Sequence, residues 1–594
     1  SNSYNFDNLF NIKEEMRMKW VFLISSLILI SLIPYNILSS ALENYSNMVL
    51  FNITQPALAT DPRYYSSEPF QINFNKTPIV VKIASNLVFN NSGIVPKTVT
   101  VNIPEGNYSL MVLNVSIREY GGRQYDRPVY IFANGVPIFW GSTQEIHNSS
   151  AQSDVTIFEN LLKGNVTFQI VLVNYYAPRV GITGVYSMNV TLLLYPGQKP
   201  KGLPNEYIPL FLNIYNYSRV VLNPSVSEVS EAVMIPNGTY RVVALLYYEG
   251  GALDEFWYTN QPAIRNILIY YNGLLAGVIV PYPIIYTGGI NPFWWRPITS
   301  INTLSFHTPH LIDLTPMLAI SQNPKITVKV SNLKEASKIA GVPYFSWIIA
   351  GVLLLWVNSS NPLLNSTILT AYSSYLDSKP IFSRWIGGIY YQQVSKYMIN
   401  YTAILQFKNG TEIASVYQSG SATAYQTFNE IYQQAILVQE FEEYSFIRGI
   451  HNSSLVIQGK YPIALQFSAF AVPISNPRVI PYNLTYSQNG TLNLGLEYKY
   501  IYTFDNAYNL TIVLNENLNT IGGFSGILEV INPYGGAILV RLTQNYAKTE
   551  RVLNAIYLIN GKGFMEYYHA IAIQNSTRVT AGYMIEYELN YKFI

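Results

Sequence analysis

A strand-like segment that begins at Ile103, IPEGNYSLMVLNV, recurs from Ile235 as IPNGTYRVVALLY. After each copy come an acidic position, an Asn-Gly pair and an Asp-hydrophobic-Thr turn, in the same order. The acidic positions and the turns are Asp126 with Asp154-Val155-Thr156 in the first copy, and Asp254-Glu255 with Asp313-Leu314-Thr315 in the second. Preserved order indicates one structural unit used twice. The two acidic positions are therefore expected at equivalent strand ends, whereas the Asp-X-Thr turns read as ordinary caps.

The repeat unit itself has a β pattern. Short runs rich in β-branched and aromatic residues alternate with turn residues, and long helical periodicity is absent apart from a short helix near Lys334. Typical runs are KTVTVNI, YSLMVLNVSI, PVYIF, VTFQIVLV and NVTLLLY. Asn-Gly pairs, which favour the positive φ of tight hairpins, lie at Asn134, Asn272, Asn409, Asn489 and Asn560. The sequence predicts an all-β protein.

The length of 594 residues allows about four domains. Two tandem jelly-roll sandwiches are predicted over residues 43–197 and 198–360, separated by the Pro- and Gly-rich linker YPGQKPKGLPNEY. Strand-like runs continue over residues 361–594 without an obvious site, which predicts one or two further β-sandwiches, with a break near Pro473–Pro481.

Residues 1–42 have a different character. An uncharged apolar run from Trp20 to Leu38 follows Lys13, Arg17 and Lys19, and its length suits a membrane-spanning helix or a signal peptide. A retained anchor is favoured because the polar stretch before the run is long. Roughly twenty Asn-X-Ser/Thr sequons and the absence of Cys favour an exported, N-glycosylated protein of an archaeal cell surface.

Composition narrows the chemistry. A net charge of +2 leaves no basic stripe for a nucleic-acid partner. Without Cys there is no thiol nucleophile or Cys-ligated zinc. The five His have no metal-binding spacing stronger than the His307–His310 pair, which reads as a loop. Carboxylates and arginines remain as the reactive groups, and we predict no metal and no cofactor.

These groups concentrate between Leu253 and Pro316, where Asp254 and Glu255 precede the aromatic run FWY, and FWWR ends at Arg296. Aromatic stripes are usually core, so a buried β-rich edge is the alternative interpretation. A cluster of carboxylates, arginines and aromatics in a chain with 12% charged residues is also what a binding site requires.

The strings DEFWYTN, PYPIIYTGGINPFWWRP and DLTP resemble the signature of the peptide N-glycanase A family, also called glycoamidase A. QYDRPVYIFANGVPIFWGSTQE, SDVTIFENLLKG and GITGVYSMNVTLLLYP support the resemblance, which covers roughly residues 75–360. It implies a double jelly roll and cleavage of the amide bond between an N-linked glycan and asparagine. N-glycosylated peptides or proteins are then the implied substrates.

By this resemblance the catalytic residues are Asp126 and Arg127 in the first sandwich and Glu255 and Arg296 in the second. Asp126 beside Arg127 is expected to stay ionised and either to accept the proton of water or to bind the sugar amide. Glu255 among aromatic residues is expected to have a raised pKa and to donate a proton. The two arginines are expected to stabilise the oxyanion or orient the glycan. The expected substrate-binding residues are Asp254, Trp257, Tyr258, Trp294, Trp295, Asn174 and Glu145, with the aromatic rings stacking on the sugar and Asn174 standing where bacterial relatives have a carboxylate.

Two alternatives remain open. One is a non-catalytic surface or envelope protein that binds glycans or serves as structure on the same fold. The other is a glycosidase that uses the same carboxylates on the glycosidic bond.

Overall fold

A computed structural model describes residues 49–53, 76–120, 127–143, 149–178, 182–283, 310–429, 431–530, 537–580 and 584–585. Within these residues the chain forms strands, short 3-10 turns and one helix, α1 (Leu333–Ala340), which ends at Gly341 with φ of 71°. The predicted all-β class and the predicted short helix near Lys334 are confirmed. The apolar run Trp20–Leu38 lies outside the described residues.

Strand β1 (Val49–Ile53) pairs in parallel with a strand near the C-terminus. The next eight strands form two four-stranded antiparallel sheets with the orders β2-β9-β4-β7 and β3-β8-β5-β6. Their bounds are β2 (Ile79–Phe89), β3 (Lys97–Ile103), β4 (Tyr108–Tyr120), β5 (Pro128–Ala133), β6 (Val136–Ser142), β7 (Ser149–Asp154), β8 (Gly164–Leu172) and β9 (Val185–Pro196).

A second pair of sheets repeats this order. It consists of β10-β18-β13-β16, with β11 also beside β18, and of β12-β17-β14-β15. The bounds are β10 (Glu206–Leu210), β11 (Val220–Leu222), β12 (Glu228–Ala232), β13 (Thr239–Ala252), β14 (Ile267–Tyr271), β15 (Leu274–Ile279), β16 (His310–Asp313), β17 (Lys325–Val330) and β18 (Phe345–Val357). Because β4 and β13 carry the repeated segments and hold the same place in their sheets, the predicted internal repeat is confirmed.

The hairpins of the two sandwiches have the expected turn chemistry. Asn134 and Gly135 have φ of 48° and 84° between β5 and β6, and Asn272 and Gly273 have 49° and 81° between β14 and β15. A positive φ at both central residues matches the right-handed twist of the flanking strands. The sequence predicts these hairpins correctly because the conformation of a two-residue turn depends mainly on the turn residues themselves.

The remaining strands form one sheet with the path β29-β28-β27-β26-β24-β23-β22-β21-β19, in which all neighbours are antiparallel. Strand β1 is added in parallel beside β29, and β20, β25 and β30 pair beside the path. The bounds are β19 (Leu363–Asp377), β20 (Ile381–Trp385), β21 (Gly388–Phe407), β22 (Gly410–Phe428), β23 (Tyr432–Gly449), β24 (Asn452–Lys460), β25 (Ile463–Pro473), β26 (Tyr482–Phe504), β27 (Tyr508–Val530), β28 (Ala537–Ile559), β29 (Lys562–Thr580) and β30 (Met584–Ile585). We call it the C-terminal sheet.

The prediction of one or two further sandwiches over 361–594 is therefore wrong for the described residues, which form a single sheet. Along β21 and β26, buried residues alternate strictly with part-exposed ones. Such alternation indicates that one face of the sheet is covered, but it does not indicate which part of the protein covers that face. Here the covering layer includes the second sandwich: Tyr401 donates to the carbonyl of Leu275 at 2.9 Å.

Two local predictions in this region also fail. Asn489-Gly490 lies inside β26 and not in a turn, because pairing with β25 on one side and β27 on the other holds the segment extended. Pro473 and Pro481 flank a connection between β25 and β26, neighbours in the same sheet. Strand β1, within the predicted range of the first sandwich, pairs instead with β29.

Candidate active site

The acidic position of the second sandwich lies where β13 ends. The amide of Asp254 donates to the carbonyl of Gly251 at 3.0 Å, and that of Glu255 to the carbonyl of Ala252 at 3.2 Å. This tight turn needs Gly250, since a Cβ there would lie 2.2 Å from the carbonyl oxygen of Asp254. The chain therefore reverses immediately after β13, and the two acidic residues differ in burial: Asp254 is buried, and Glu255 is half-buried.

Asp254 is fully buried and belongs to the framework of the loop. Its carboxylate receives Nε of Arg265 at 2.7 Å and Nη2 of Arg265 at 2.9 Å. The indole of Trp347 and the amide of Asn260 donate to it at 2.8 and 2.9 Å. Both residues of the Asp254–Arg265 ion pair have 0% exposure, so the prediction that Asp254 binds substrate is corrected: it fixes the loop on which Glu255 stands.

Glu255, in contrast, is half-buried. Its negative charge is felt by the hydroxyl of Tyr258. Burial first, and then the charge of Glu255, raise the pKa of the Tyr258 hydroxyl well above its usual range. Of the adjacent acidic pair, Glu255 is thus the carboxylate that retains access to solvent. A partly buried carboxylate that still reaches solvent is suited to proton transfer.

Trp257 and Tyr258 do not form a sugar platform. Their side chains are 2% and 1% exposed. The ring of Trp257 lies 6.1 Å from that of Trp347 and 5.6 Å, edge on, from that of Tyr258. The prediction that these two residues bind the glycan is therefore corrected, because both side chains are buried in the core.

In the first sandwich, Arg127 stands immediately before β5 and is half-buried. Its backbone pairs both ways with Thr143, at 2.9 Å each. Its Nε donates to the side-chain oxygen of Asn174 at 2.9 Å. Asn174 is fully buried, and its amide donates to the carbonyls of Asn90 at 2.5 Å and Gly184 at 2.9 Å. Asn174 therefore orients Arg127, which corrects the prediction that it contacts a sugar.

The two sandwiches meet through a carboxylate that the sequence reasoning missed. The hydroxyl of Tyr130 on β5 donates to Oε1 of Glu249 on β13 at 2.6 Å. Burial raises the pKa of Tyr130 well above its usual range, so the hydroxyl stays protonated and able to donate. Trp140 stacks on Tyr130 at 3.8 Å, and Tyr247 lies 5.9 Å from Trp140. The sequence feature that could have indicated this contact is Glu249 itself, an acidic residue that directly follows the apolar strand run VVALLYY.

Five predicted site residues, Asp126, Glu145, Trp294, Trp295 and Arg296, lie outside the described residues. The expectation that Asp126 and Arg296 face Glu255 across one cleft remains a prediction.

The residues that the structure describes meet the requirements of neither a metal-binding cluster nor a membrane-spanning helix. They contain no group of three or more His, Asp or Glu side chains arranged to hold a metal ion. His310 begins β16, packs against Phe441 at 5.1 Å, and burial lowers its pKa to about 3. The same ranges include no helix long and apolar enough to span a membrane.

The described chain thus contains a pair of repeated antiparallel sandwiches packed on the C-terminal sheet. A half-buried carboxylate follows β13, and an oriented arginine precedes β5. The family model for peptide N-acetyl-beta-D-glucosaminyl asparaginase amidase A matches residues 69–373, just over half of the chain. The protein belongs to this family.

A curated relative, the peptide-N4-(N-acetyl-beta-glucosaminyl)asparagine amidase A of Prunus dulcis, is 28% identical over 277 residues, which cover 40% of this chain and 47% of the relative. The match therefore spans about half the length of that relative. Among solved structures, PNGase F, a glycosylasparaginase from Flavobacterium meningosepticum, is 12% identical with a TM-score of 0.32, covering 48% of this chain and 96% of its own. PNGF-II is 15% identical with a TM-score of 0.34, covering 47% and 66%. At these scores the structural likeness carries no inference about this chain.

Proposed function

We propose that this protein hydrolyses the amide bond between N-linked N-acetylglucosamine and asparagine in glycopeptides or glycoproteins. The observation that carries the proposal is the family match over residues 69–373, a range that includes both repeated sandwiches, Arg127 and Glu255. The half-buried state of Glu255 and its rigid support by the Asp254–Arg265 pair favour a working carboxylate at this position.

In this proposal a water molecule adds to the amide carbonyl, the bond from carbonyl carbon to nitrogen breaks, and the nitrogen leaves with a proton as the glycosylamine. The peptide keeps an aspartate. Asp126 takes the proton of the water, and Glu255 supplies the proton to the nitrogen. Arg127, held in orientation by Asn174, and Arg296 stabilise the oxyanion. Trp294 and Trp295 stack on the sugar, and Glu145 binds it. No metal or cofactor takes part.

We further propose that each sandwich is a jelly roll. Support comes from the sheet orders β2-β9-β4-β7 and β3-β8-β5-β6, in which the first and last strands of the unit are neighbours and the two sheets alternate along the chain. The second unit has the same alternation. Double-sheet jelly rolls of eight strands are a recurrent antiparallel architecture.

Export to an archaeal cell surface, with Trp20–Leu38 as an N-terminal helical anchor or signal peptide, is a separate proposal. It is supported by sequon asparagines with exposed side chains at Asn107, Asn165, Asn237, Asn365, Asn409 and Asn452. Extraction of the native protein only with detergent, and a mature N-terminus before Trp20, would favour the anchor. A mature N-terminus just after Ala41 would show a cleaved signal peptide.

The test of activity is mass spectrometry of a defined N-glycopeptide digested by the purified protein in heavy-oxygen water. The proposal expects an aspartate in place of the glycosylated asparagine, carrying heavy oxygen in its carboxyl group. An unchanged glycopeptide would support the alternative of a non-catalytic glycan-binding or structural surface protein. A peptide that keeps asparagine with a sugar stub would identify a glycosidase.

A further inference from the structure

The loop that carries Glu255 lies on the C-terminal sheet. Residues 253–266 connect β13 to β14 and form only one 3-10 turn, Trp257–Thr259. Much of the loop is buried, and buried backbone groups need hydrogen-bond partners. Since the loop has almost no regular structure, those partners have to come from elsewhere.

Side chains of β22 and β23 supply several of them. The side-chain amide of Gln426 donates to the carbonyl of Tyr258 at 2.9 Å and to that of Asn260 at 3.0 Å. Its oxygen accepts from the side-chain amide of Gln261. On the neighbouring strand, Gln433 donates to the carbonyl of Thr259 at 3.3 Å.

Strand β21 holds the following part of the loop. The hydroxyl of Tyr391 accepts from the amide of Ala263 at 2.7 Å, and the side-chain oxygen of Gln393 accepts from the amide of Ile264 at 3.1 Å. The sheet therefore holds the loop from Tyr258 to Ile264, and Gln426 makes more of these bonds than any other residue of the sheet.

Gln426 is an unexpected residue for its position. It is 1% exposed and lies between the buried residues Ala424 and Phe428 on the covered face of β22. Burying an amide there is costly unless all of its hydrogen bonds are made. An apolar residue would pack at this position without that cost, so packing alone does not account for a glutamine.

A short chain of bonds joins Gln426 to the acidic pair. Asn260, whose carbonyl accepts from Gln426, donates from its side chain to Oδ1 of Asp254 at 2.9 Å and to the carbonyl of Leu253 at 2.7 Å. Asp254 directly precedes Glu255. A shift of Asn260 would therefore move the turn on which Glu255 stands.

We propose that Gln426 of the C-terminal sheet is a positioning residue for Glu255, so that the sheet is part of the catalytic apparatus although it contributes no group to the reacting bond. The inference rests on the proposed amidase function. It gives the C-terminal region a role in the reaction that residues 69–373 cannot supply alone. Misplacement of a reacting group by about 1 Å can cost roughly 100-fold in rate.

The test compares Gln426→Met with Gln418→Met in the full-length protein. Gln418 lies on the same face of the same strand and is also 1% exposed. It bonds to the amide of Val278 and to Glu443, and it has no bond to the loop among the hydrogen bonds described. Gln433→Met is the milder second variant, because Gln433 is half-buried and makes one of the loop bonds.

Two readouts are taken on folded protein: kcat and KM on a glycopeptide, and hydrogen exchange of a peptide covering residues 253–262. We expect Gln426→Met to lower kcat by about 10- to 100-fold with little change in KM, and to speed exchange in this peptide. Gln433→Met should lower kcat and speed exchange to a smaller degree. Gln418→Met should leave both kcat and the exchange of this peptide unchanged. Unchanged kcat in an active Gln426→Met protein would overturn the proposal.

Exchange separates this inference from the proposed function, because it does not depend on activity. A parent protein without activity would refute the proposed amidase function, and with it the proposed effect of Gln426 on the reaction. Exchange would then still show whether Gln426 holds the loop, and equal exchange in the Gln426→Met and Gln418→Met variants would refute that as well.

Discussion

Asp154 and Asp313 occupy the same turn in the two sandwiches, and each ties its sandwich to the C-terminal sheet. One oxygen of each carboxylate accepts from the amide of the Thr two residues later, at 2.9 Å in both cases. The other oxygen of Asp154 accepts from Tyr557 on β28 at 2.5 Å. The other oxygen of Asp313 accepts from the hydroxyl of Ser445 on β23 at 2.8 Å. The repeat thus gives the C-terminal sheet two equivalent attachment points.

The partners of the two aspartates differ in charge, which predicts unequal mutational costs. Asp313 also pairs with Arg241 at 3.1 Å, and both are 2% exposed. Asp313→Asn leaves a buried guanidinium uncompensated and should lower the free energy of unfolding by about 3–5 kcal/mol. Asp154→Asn disturbs only neutral partners and should cost about 1–3 kcal/mol. Denaturant unfolding of both variants measures the difference, and equal losses would contradict the role given to Arg241.

Glu443 predicts a pH dependence of stability. Burial first, and then the charge of Asp313, raise the pKa of Glu443 well above 4.5 in the folded protein. Between 4.5 and that raised pKa the folded state holds a proton that the unfolded state has lost. The contribution of Glu443 to stability therefore falls as pH rises, by up to about 1.4 kcal/mol per pH unit.

Glu443→Gln removes this titration, so the difference in unfolding free energy between variant and parent should shift in favour of the variant as pH rises above 4.5. Unfolding at a series of pH values checks the slope of the difference. A constant difference across the series would show that Glu443 has the same pKa folded and unfolded.

The buried Asp254–Arg265 pair predicts a large loss on mutation. Asp254→Asn leaves Arg265, with 0% exposure, without its counter-charge, and we expect about 3–5 kcal/mol of destabilisation. Glu228→Gln is the matched control, since Glu228 meets Lys329 at 3.9 Å with both side chains exposed, and such pairs contribute about 0–1 kcal/mol. Similar midpoints of thermal unfolding for the two variants would contradict the framework role of Asp254.

The bond between Tyr130 and Glu249 predicts a smaller effect. Tyr130→Phe keeps the ring that stacks on Trp140 and removes only the hydroxyl that donates to Glu249. Hydrogen bonds to charged groups contribute about 1.5–3 kcal/mol, and a loss of that size in denaturant unfolding is expected. Unchanged stability would mean that Glu249 does not help to join the two sandwiches.

Local features of the fold were predictable from the sequence, and long-range ones were not. Asn134-Gly135 and Asn272-Gly273 define their hairpins because the required positive φ is a property of the turn residues themselves. The alternation in β21 predicts a covered face, but whether a second sheet of the same domain or another domain covers it depends on contacts such as that between Tyr401 and Leu275.

The same limit applies to the site. Asp254 and Glu255 are equivalent acidic residues in the sequence, and only the position of Arg265 shows which one is neutralised. The run at Trp257 and Tyr258 suits a sugar platform or a core equally, and the answer depends on Trp347, which lies far along the chain. Gln426 carried no signal at all, since a glutamine in a strand is ordinary until its partners are known.

The most direct test of the account is the rate of glycan release from a defined glycopeptide by the parent protein and by Glu255→Gln. The amide keeps the size of the side chain and removes its ability to transfer a proton. We expect the parent to convert the glycosylated asparagine to aspartate, and Glu255→Gln to do so about 100- to 10,000-fold more slowly while unfolding at the same denaturant concentration. A Glu255→Gln variant that releases glycan at the rate of the parent would contradict the account.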